Sequence, residues 1–240
     1  MGSKNRIAKY IVPIIQKYID ENNITTYLEP FVGGANVIDK IKCEHKLGSD
    51  NHRYLIALLK QAKKDTSVFP STITKEQYNN VKNNKENFPD WYVGLVGFCA
   101  SYNGKWFGGY ANNVKTKIGT VRNYTDEAIR NLIKQAINLR DIEFHCFDFR
   151  VINNISNFII YCDPPYKNTT KYDINNFPYE EFYDWCREMG KDNIVLISEY
   201  NMPNDFKCIW QKTNYCSLDC NRGVNSDKNN RVEKIFICNK

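Results

Sequence analysis

The chain has 240 residues, a length that favours one domain carrying an insertion over two complete domains. Hydrophobic residues make up 42% of the chain and charged residues 25%, and together with 16 Tyr and 13 Phe this composition excludes disordered, collagen-like and coiled-coil proteins. The formal net charge is +6, and all of the excess lies between residues 51 and 145, where 14 Lys and Arg accompany 8 Asp and Glu.

The first predicted element is an amphipathic helix over residues 6–22, because isoleucines recur there at helical spacing. Pro13 either kinks this helix or marks its true first turn. Two further helices are predicted over 126–139, with Thr125 as the N-cap, and over 179–189, with Gly190 directly after it.

Seven short runs rich in β-forming residues predict strands. They are residues 25–29, 46–50, 142–147, 157–162, 193–198, 206–210 and 234–238. Because these runs alternate with helical patterns, we predict an α/β fold whose seven-stranded sheet is mainly parallel.

The segment 56–140 differs from the rest of the chain. It is rich in Lys and Asn, carries an aromatic stretch between residues 91 and 110, and has few strand signals. We therefore predict an inserted, mostly helical subdomain. Its net positive charge indicates a surface that faces a polyanion, and a solvated lysine-rich surface is the alternative.

The nine cysteines are scattered without a CxxC pair, and the three histidines form no HExxH or other ligand array. We expect reduced, mostly buried thiols and no metal site. No apolar run in the sequence approaches the ~20 residues of a membrane span, and the first residues lack the apolar block of a signal peptide. These features predict a cytoplasmic protein with no membrane partner.

The first motif is YLEPFVGGANV at residues 27–37. A β-rich run ends at Glu29 and is followed by Gly33-Gly34, after which a helix is predicted to start near Ala35. Glycines at a strand-to-helix turn let the backbone approach a ligand, and a helix N-terminus favours acidic groups. Asp50 ends the next β-rich run, where an acidic residue binds ribose hydroxyls in nucleotide-binding units. A purely structural turn and a helix-capping aspartate are the alternatives.

The second motif is NFIIYCDPPYKN at residues 157–168. An apolar strand delivers Asp163, Pro164, Pro165 and Tyr166 to its carboxyl end, the edge at which open α/β sheets bind ligands. Because prolines cannot donate hydrogen bonds, carbonyl oxygens and one carboxylate remain as acceptors beside an aromatic ring. Such a site suits a planar group that carries an NH2, and a structural turn is the alternative.

The two motifs, EPFVGG and DPPY, lie about 130 residues apart and resemble those of the Dam-type (D12 class, α-group) adenine-specific DNA methyltransferases. The resemblance covers nearly the whole chain. Gly2-Ser3-Lys4 matches the family's N-terminal GGK or GSK element, and Tyr102-Asn103-Gly104 resembles the YNG of its recognition subdomain. The tail from Asn221 to Glu233 resembles the family's last loop and strand.

This resemblance implies a Rossmann-like, S-adenosylmethionine-dependent methyltransferase fold. Residues 1–55 and 141–240 would form the catalytic domain, and 56–140 the DNA target-recognition insertion. The implied reaction transfers a methyl group from S-adenosylmethionine to adenine N6 in duplex DNA after the base has been flipped out of the stack. Double-stranded DNA is the implied partner, and a cognate restriction endonuclease is a further one that the family allows.

The resemblance also implies roles for individual residues. The catalytic set is Asp163, Pro164, Pro165 and Tyr166, in which the carboxylate and the Pro164 carbonyl orient the target amine and the tyrosine ring holds the adenine. Lys4 would approach the methionine end of the cofactor, and Asp148-Phe149 its adenine, although Asp148 is also explained by an ordinary turn. The implied cofactor-binding set is Lys4, Glu29, Pro30, Phe31, Gly33, Gly34, Asp50, Asp148, Phe149 and Asp163.

The expected DNA contacts come from the insertion. They are Tyr102, Asn103, Lys105, Trp106, Lys115, Lys117 and Arg122. Members that read GATC place an arginine soon after YNG, whereas this chain has Lys105-Trp106-Phe107, which predicts a target other than GATC. Trp106, Phe107 and Tyr110 are also explained as core of the insertion, since large aromatic residues are usually buried.

Two other functions remain open at this point. One is methylation of another planar amine, such as cytosine N4, RNA adenine or a glutamine side chain. The other is a catalytically inactive DNA-binding or accessory protein. The large basic insertion favours DNA over glutamine, and the intact Asp163 and Tyr166 argue against an inactive protein.

Overall fold

The structure is a computed structural model that describes residues 4–111, 113–115, 119–166, 177–215 and 230–238. Within these ranges it has six α-helices: α1 (Ala8–Glu21), α2 (Arg53–Lys64), α3 (Lys75–Asn83), α4 (Asp90–Cys99), α5 (Tyr124–Gln135) and α6 (Tyr179–Met189). The same ranges contain nine β-strands: β1 (Thr26–Glu29), β2 (His45–Asp50), β3 (Val114–Lys115), β4 (Val121–Arg122), β5 (Ile142–Cys146), β6 (Phe158–Cys162), β7 (Ile194–Glu199), β8 (Phe206–Tyr215) and β9 (Asn230–Cys238).

Seven of these strands form one sheet in the order β5-β2-β1-β6-β7-β9-β8. The first five are parallel to one another, and β9 runs antiparallel to both β7 and β8. The prediction of an α/β fold with a mainly parallel, seven-stranded sheet is confirmed. Because the strand order changes direction between β1 and β6, a crevice opens at the carboxyl ends of these two strands.

The last two strands of the sheet are longer than predicted. β8 continues to Tyr215 and β9 begins at Asn230, because the two strands pair along almost their whole length. The two-residue strands β3 and β4 pair separately as a small antiparallel ribbon that the sequence pattern did not predict.

Helix α1 buries one row of isoleucines against the sheet. Ile11, Ile15 and Ile19 recur every four residues and are all buried. Pro13 lies inside the helix and does not mark its first turn. The proline removes one backbone hydrogen bond, and packing of the isoleucine face stabilises the helix around it.

Helices α5 and α6 lie close to their predicted positions. The N-cap of α5 is Asn123, whose side-chain oxygen accepts hydrogen bonds from the backbone N–H groups of Thr125 and Asp126 at 3.0 and 3.1 Å. The prediction of Thr125 as the cap is wrong, because its side chain is buried and donates to the Ala111 carbonyl instead. Helix α6 spans the predicted residues 179–189.

The segment between β2 and β5 is mostly helical and packs directly on the sheet. Buried side chains of α2 and α4 belong to the same hydrophobic cluster as buried side chains of α1 and β1. Helix α4 approaches α2 closely at Gly94, where a Cβ atom would lie 2.2 Å from the Tyr54 carbonyl oxygen. The close packing of these two helices therefore requires glycine at this position.

The described cysteines differ in how far they are exposed. Among the described cysteines, all of which are free thiols, only Cys162 and Cys186 are fully buried, so the expectation of mostly buried thiols is wrong. Cys146 and Cys208 are exposed because they lie on the edge strands β5 and β8.

In the part of the chain that the structure describes, no helix is both long and apolar enough to cross a bilayer.

Candidate active site

Acidic side chains follow four neighbouring strands at the carboxyl edge of the sheet. Glu29, Asp50 and Glu199 end β1, β2 and β7, and Asp163 comes directly after β6. Because these strands are parallel, their carboxyl ends meet at one edge. The fold thus brings three predicted site residues, Glu29, Asp50 and Asp163, to the crevice between β1 and β6.

Glu29 is almost completely enclosed, with 3% of its surface exposed. The Tyr27 hydroxyl donates a hydrogen bond to its Oε1 at 2.6 Å. Burial raises the pKa of Glu29 well above its usual range, and the nearby charge of Asp163 adds to the rise, while the Tyr27 hydrogen bond opposes it. Glu29 therefore takes up a proton far more readily than an exposed glutamate does.

The turn after β1 differs from the prediction. No α-helix starts near Ala35, because both Gly33 and Ala35 adopt left-handed φ angles, 49° and 55°, that interrupt a helix. Only a 3-10 turn at Ile38–Lys40 follows. The turn is held by backbone bonds, including one from Val32 N–H to the Ser49 carbonyl at 2.8 Å. An acidic group here would meet the amides of an irregular loop and not a helix N-terminus.

Two predicted cofactor residues of this turn lie at its start. Pro30 is buried, whereas Phe31 is half-buried. The Phe31 ring centroid lies 5.5 Å from that of Phe149 and 5.6 Å from that of Phe182. The turn is therefore anchored by an aromatic cluster behind the crevice.

Asp50 organises the backbone on the other side of the turn. Its carboxylate accepts hydrogen bonds from Gly33 N–H at 3.3 Å and from His52 N–H at 2.9 Å. Burial raises the pKa of Asp50, although these two backbone bonds and His52 oppose the rise. Asp50 links the glycine turn to the start of α2, and each of its oxygens retains a lone pair for another donor.

Asp148 and Phe149 differ from each other in environment. Arg150 binds both oxygens of Asp148, with Nε at 2.8 Å and Nη2 at 3.2 Å. Burial acts to raise the pKa of Asp148, but the bonds to Arg150 outweigh it and lower the pKa. Phe149 is buried among Phe31, Phe182 and other rings, so it supports the crevice wall from behind.

The catalytic motif at the end of β6 contacts the start of the chain. Lys4, which is 8% exposed, places its ammonium 3.1 Å from Oδ1 of Asp163. Burial acts to lower the pKa of Lys4, but the carboxylates of Asp163 and Glu233 outweigh it and raise the pKa. The pKa of Asp163 is raised by burial, and the ammonium of Lys4 opposes that rise. Within this buried pair, each group therefore favours the charged form of the other.

Tyr166 lies on the other side of Lys4. The Lys4 ammonium contacts its hydroxyl and lies 4.3 Å from the ring centroid, and the hydroxyl donates to Glu233. The Tyr200 ring meets the Tyr166 ring edge-on, with a centroid distance of 4.6 Å. The expected stacking residue thus also takes part in a buried polar network through its hydroxyl.

The two prolines of the motif occupy different environments. Pro164 is buried, whereas Pro165 is exposed and its carbonyl accepts a hydrogen bond from the Tyr179 hydroxyl at 3.0 Å. This bond ties Pro165 to the first turn of α6.

Sequence reasoning gave no role to Glu199, Tyr200 or Glu233, although all three lie at this edge. Glu199 is buried and accepts a hydrogen bond from the Tyr200 backbone N–H at 2.7 Å. Glu233 reaches the site from the antiparallel strand β9. The signal that identifies Glu199 is an acidic residue at the end of an apolar strand, whereas Glu233 becomes apparent only from the sheet order.

The residues expected to contact bases separate into two groups. Tyr102 and Asn103 are exposed on a tight turn in which Asn103 has a φ of 54°. Trp106, in contrast, packs against the start of α2, with its ring 4.3 Å from that of His52 and 5.3 Å from that of Tyr54. Lys105, just before it, is half-buried. The YNG turn is therefore exposed at all three of its residues, and the side chains that follow it turn inward.

Two of the charged DNA-contact candidates, Lys115 and Arg122, lie on the small ribbon. Lys115 on β3 is exposed. Arg122 on β4 makes a two-pronged bond to Glu127, with both nitrogen–oxygen distances at 2.6 Å. Lys117 lies outside the described residues. The ribbon therefore presents one exposed cation and one whose charge is largely balanced by a carboxylate.

Among the described residues, no group of three or more His, Cys, Asp or Glu side chains is arranged to hold a metal ion.

Comparisons with known proteins agree with this arrangement. The sequence profile of the D12 class of N6 adenine-specific DNA methyltransferases matches residues 1–92 and 91–222. The type II methyltransferase M.MjaIII of Methanocaldococcus jannaschii is 23% identical over 98% of this chain and 94% of its own length. The type II methyltransferase M.FokI of Planomicrobium okeanokoites is 28% identical over 78% of this chain but only 31% of its own length.

Solved structures resemble the chain more distantly. Protein 1320 of Thermoplasma acidophilum aligns over 100% of this chain and 98% of its own, with 9% identity and a TM-score of 0.42. TrmN from Thermus thermophilus aligns over 95% of this chain and 48% of its own, with 10% identity and a TM-score of 0.38. Because the sequence profile runs through both motifs and the segment between them, the chain belongs to the D12 class of N6 adenine-specific DNA methyltransferases.

Proposed function

We propose that the crevice between β1 and β6 transfers a methyl group from S-adenosylmethionine to adenine N6 at a specific site in duplex DNA, after the base has been flipped out of the stack. The observation that carries this proposal is the position of Asp163 and Tyr166. A carboxylate and an aromatic ring follow an apolar strand at the strand-order reversal, where a flipped base and a second ligand fit side by side.

The side chains of the crevice fit S-adenosylmethionine by their chemistry. The cofactor carries a carboxylate, an ammonium, a sulfonium and a ribose diol. Lys4 is a buried cation suited to the carboxylate, while Glu29 is a buried acid suited to the cationic groups. Asp50 ends β2 with lone pairs that suit the ribose hydroxyls, and Gly33 lets the backbone come close.

The proposed roles of the catalytic residues follow from hydrogen-bond geometry. When bound, S-adenosylmethionine supplies a methyl group on a positively charged sulfur. Asp163 and the Pro164 carbonyl accept the two hydrogens of the adenine amino group, which directs the nitrogen lone pair toward the methyl group. The carboxylate of Asp163 also stabilises the positive charge that develops on the nitrogen. Tyr166 holds the flipped base by stacking.

The test is methylation of DNA by the wild-type protein and by Asp163→Ala. Both are expressed in a host without adenine methylation, and the DNA is read by modification-sensitive sequencing. We expect N6-methyladenine with the wild type and none with the variant, whose cofactor affinity stays within about threefold of wild type because Lys4 and Asp50 are intact. Asp192→Ala, an exposed aspartate at the opposite edge of the sheet, is the matched control.

Three results would contradict the proposal. Full activity of Asp163→Ala would remove the mechanism. Methylation of cytosine N4 by the wild type would show that adenine N6 is not the target atom. DNA binding by the wild type without any methylation would favour an inactive accessory protein.

We also propose that the segment 56–140 recognises the DNA target and that the target is not GATC. Phe107 stands where GATC readers carry an arginine, and its ring packs 4.7 Å from that of Trp106 and 5.4 Å from that of Tyr78. A packed phenylalanine cannot donate two hydrogen bonds to guanine, a contact worth about 1–3 kcal/mol of discrimination. The same sequencing experiment tests this, and uniform GATC methylation would refute the specificity while leaving the activity intact.

A cognate restriction endonuclease is the further partner that we propose. The support is that M.MjaIII and M.FokI are named type II methyltransferases. Cleavage of unmethylated DNA, but not of methylated DNA, at the same site by a nuclease from the source cell is the test.

A further inference from the structure

Glu233 occupies a central position in the polar network beside the catalytic motif. It is 7% exposed, binds the Lys4 ammonium and accepts the Tyr166 hydroxyl hydrogen. Lys4 in turn lies 3.1 Å from Asp163. The Glu233 carboxylate therefore contacts Lys4 and Tyr166, which both have proposed roles at the site. Through Lys4 it is linked to Asp163, the proposed acceptor for the target amine.

The fold places Glu233 where chain position would not suggest it. The residue lies on β9, which pairs antiparallel with β7, so that the start of β9 and the carboxyl end of β7 share an edge. Lys4 and Glu233 are 229 positions apart in the chain. Glu233 also lies outside the segments 1–92 and 91–222 that the family profile matches.

The Lys4 ammonium is shared among three partners. An ammonium has three N–H donors, and those of Lys4 meet Glu233, Asp163 and Tyr166. Without the carboxylate at 233, Asp163 would be the remaining anion that Lys4 contacts among the described residues. The ammonium and the Tyr166 hydroxyl, which both already hydrogen-bond to Asp163, would then be held by the carboxylate that the target amine needs.

We propose that Glu233 is a positioning residue for methyl transfer, which holds the Lys4 ammonium and the Tyr166 hydroxyl so that Asp163 stays available to the target amine. This inference rests on the proposed function. Glu233 itself touches neither substrate nor cofactor in this role; it acts through Lys4 and Tyr166.

The charges around the network agree with this role. The titratable groups that face Lys4 and Tyr166 include Asp163 after β6 and Glu233 on β9. Tyr166 also faces Tyr161 on β6 and Tyr200, whose ring meets its own edge-on. Burial raises the pKa of Tyr166 well above its usual value, and the charges of Asp163 and Glu233 add to that rise. A neutral residue at 233 should therefore lower the pKa of Tyr166.

The first experiment measures single-turnover methylation at saturating cofactor and DNA. We expect Glu233→Ala to slow transfer by about 10- to 100-fold, because misplacement of a catalytic group by about 1 Å has effects of that size. Glu233→Gln, which keeps the volume and an acceptor oxygen, should lose less. Glu143→Gln, on the exposed face of edge strand β5, is the matched control and should match the wild type.

A double-mutant cycle separates this role from a general structural one. In a Lys4→Met background, Glu233→Ala should slow transfer by no more than about threefold, because the ammonium that it restrains is gone. An equal loss in both backgrounds would show that Glu233 does not act through Lys4 and would overturn the proposal.

The second experiment does not depend on activity. NMR of the protein labelled with 13C at tyrosine Cζ follows the ionisation of Tyr166, whose signal is assigned with Tyr166→Phe. We expect the pKa of Tyr166 to fall in Glu233→Gln and to stay constant in Glu143→Gln. An unchanged titration in Glu233→Gln would overturn the proposal even if Glu233→Ala failed to fold.

Failure of the inference and failure of the proposed function are distinguishable. If the wild type methylates DNA and Glu233→Ala stays within about twofold of it, only the inference falls. If the wild type methylates no DNA, the proposed function falls, and a constant pKa of Tyr166 in Glu233→Gln would then reject the contact with Glu233 as well.

Discussion

At the scale of single residues, burial governs the ionisation of the acids at the carboxyl edge. Burial raises the pKa of Glu29, Asp50 and Asp163, and different neighbours oppose that rise: a tyrosine hydroxyl, backbone amides and an ammonium, respectively. The differences matter because an ionised carboxylate beside a methyl-accepting amine would stabilise the positive charge that develops on the nitrogen. For Asp163, the neighbour that opposes the rise in pKa is a cation, the ammonium of Lys4.

Glu29→Gln should change how stability depends on pH. Since the folded pKa of Glu29 lies above its unfolded value, its favourable contribution is complete below about pH 4 and is lost as the pH rises through the folded pKa. The glutamine variant should therefore gain free energy of unfolding relative to wild type as the pH rises, by about 1.4 kcal/mol per unit of pKa difference. Urea denaturation between pH 4 and 8 measures this.

The control for this experiment is Glu21→Gln, which changes an exposed glutamate on α1 in the same chemical way. Its stability difference from wild type should stay nearly constant over this pH range. A constant difference for Glu29→Gln as well would contradict the burial argument.

At the scale of elements, the helices of the insertion are positioned by close backbone packing. Helix α4 is apolar and packs against α2 with glycine at the closest point. The ribbon formed by β3 and β4 lies outside this packed region and exposes both of its strands. The insertion thus combines a packed scaffold with an exposed charged element.

Gly94→Ala should destabilise the protein although alanine favours helices by about 1 kcal/mol over glycine. The added methyl group would lie 2.2 Å from the Tyr54 carbonyl oxygen, so the helices must move apart, at about 1–3 kcal/mol. Thermal or urea unfolding measures the change, with Lys82→Ala on the exposed face of α3 as control. An equal or more stable Gly94→Ala protein would show that the two helices separate without loss.

Lys115→Gln and Arg122→Gln should differ in their effect on DNA binding. Losing one phosphate contact reduces the slope of log K against log salt concentration by about 0.9. We expect this change for Lys115→Gln and a smaller one for Arg122→Gln, because Glu127 already balances the charge of Arg122. Fluorescence anisotropy over a range of salt concentrations measures the slopes.

The control for the ribbon is Lys60→Gln. Lys60 lines a cleft of about 520 Å³ beside the edge strand β5, and its loss should leave the slope unchanged. A larger change for Lys60→Gln than for Lys115→Gln would place the DNA beside β5.

At the scale of the whole molecule, the insertion and the sheet share one hydrophobic cluster. The crevice is bordered by β1, β2, β6 and β9, which come from both ends of the chain. Ligand binding in the crevice should therefore stabilise the whole fold and not one local segment.

S-adenosylmethionine at about 100 times its dissociation constant should raise the free energy of unfolding by about 2.7 kcal/mol. Asp50→Ala should bind more weakly and show a smaller rise. It should also lose about 1–3 kcal/mol of stability without ligand, because the backbone amides of Gly33 and His52 lose their acceptor. Urea denaturation with and without cofactor separates the two effects, and a rise as large as that of wild type would reject Asp50 as a cofactor residue.

Local patterns were sufficient to predict much of this protein. The isoleucine spacing of α1, the apolar runs of the seven sheet strands and the placement of Asp50 and Asp163 at strand ends depend on residues close in the chain. Because periodicity and strand termination are local properties, the sequence by itself determined the fold class, the positions of Asp50 and Asp163 at strand ends and the family resemblance.

The tertiary structure decided what depends on distant residues. The left-handed conformation of Ala35 replaced the predicted helix, Trp106 packed against α2, and Glu233 met Lys4 across 229 positions of the chain. Such contacts arise from the order of strands in the sheet and from the packing of α2 against α4. Neither is encoded in the spacing of neighbouring residues, so only the folded chain brings Glu233, Lys4 and Tyr166 together.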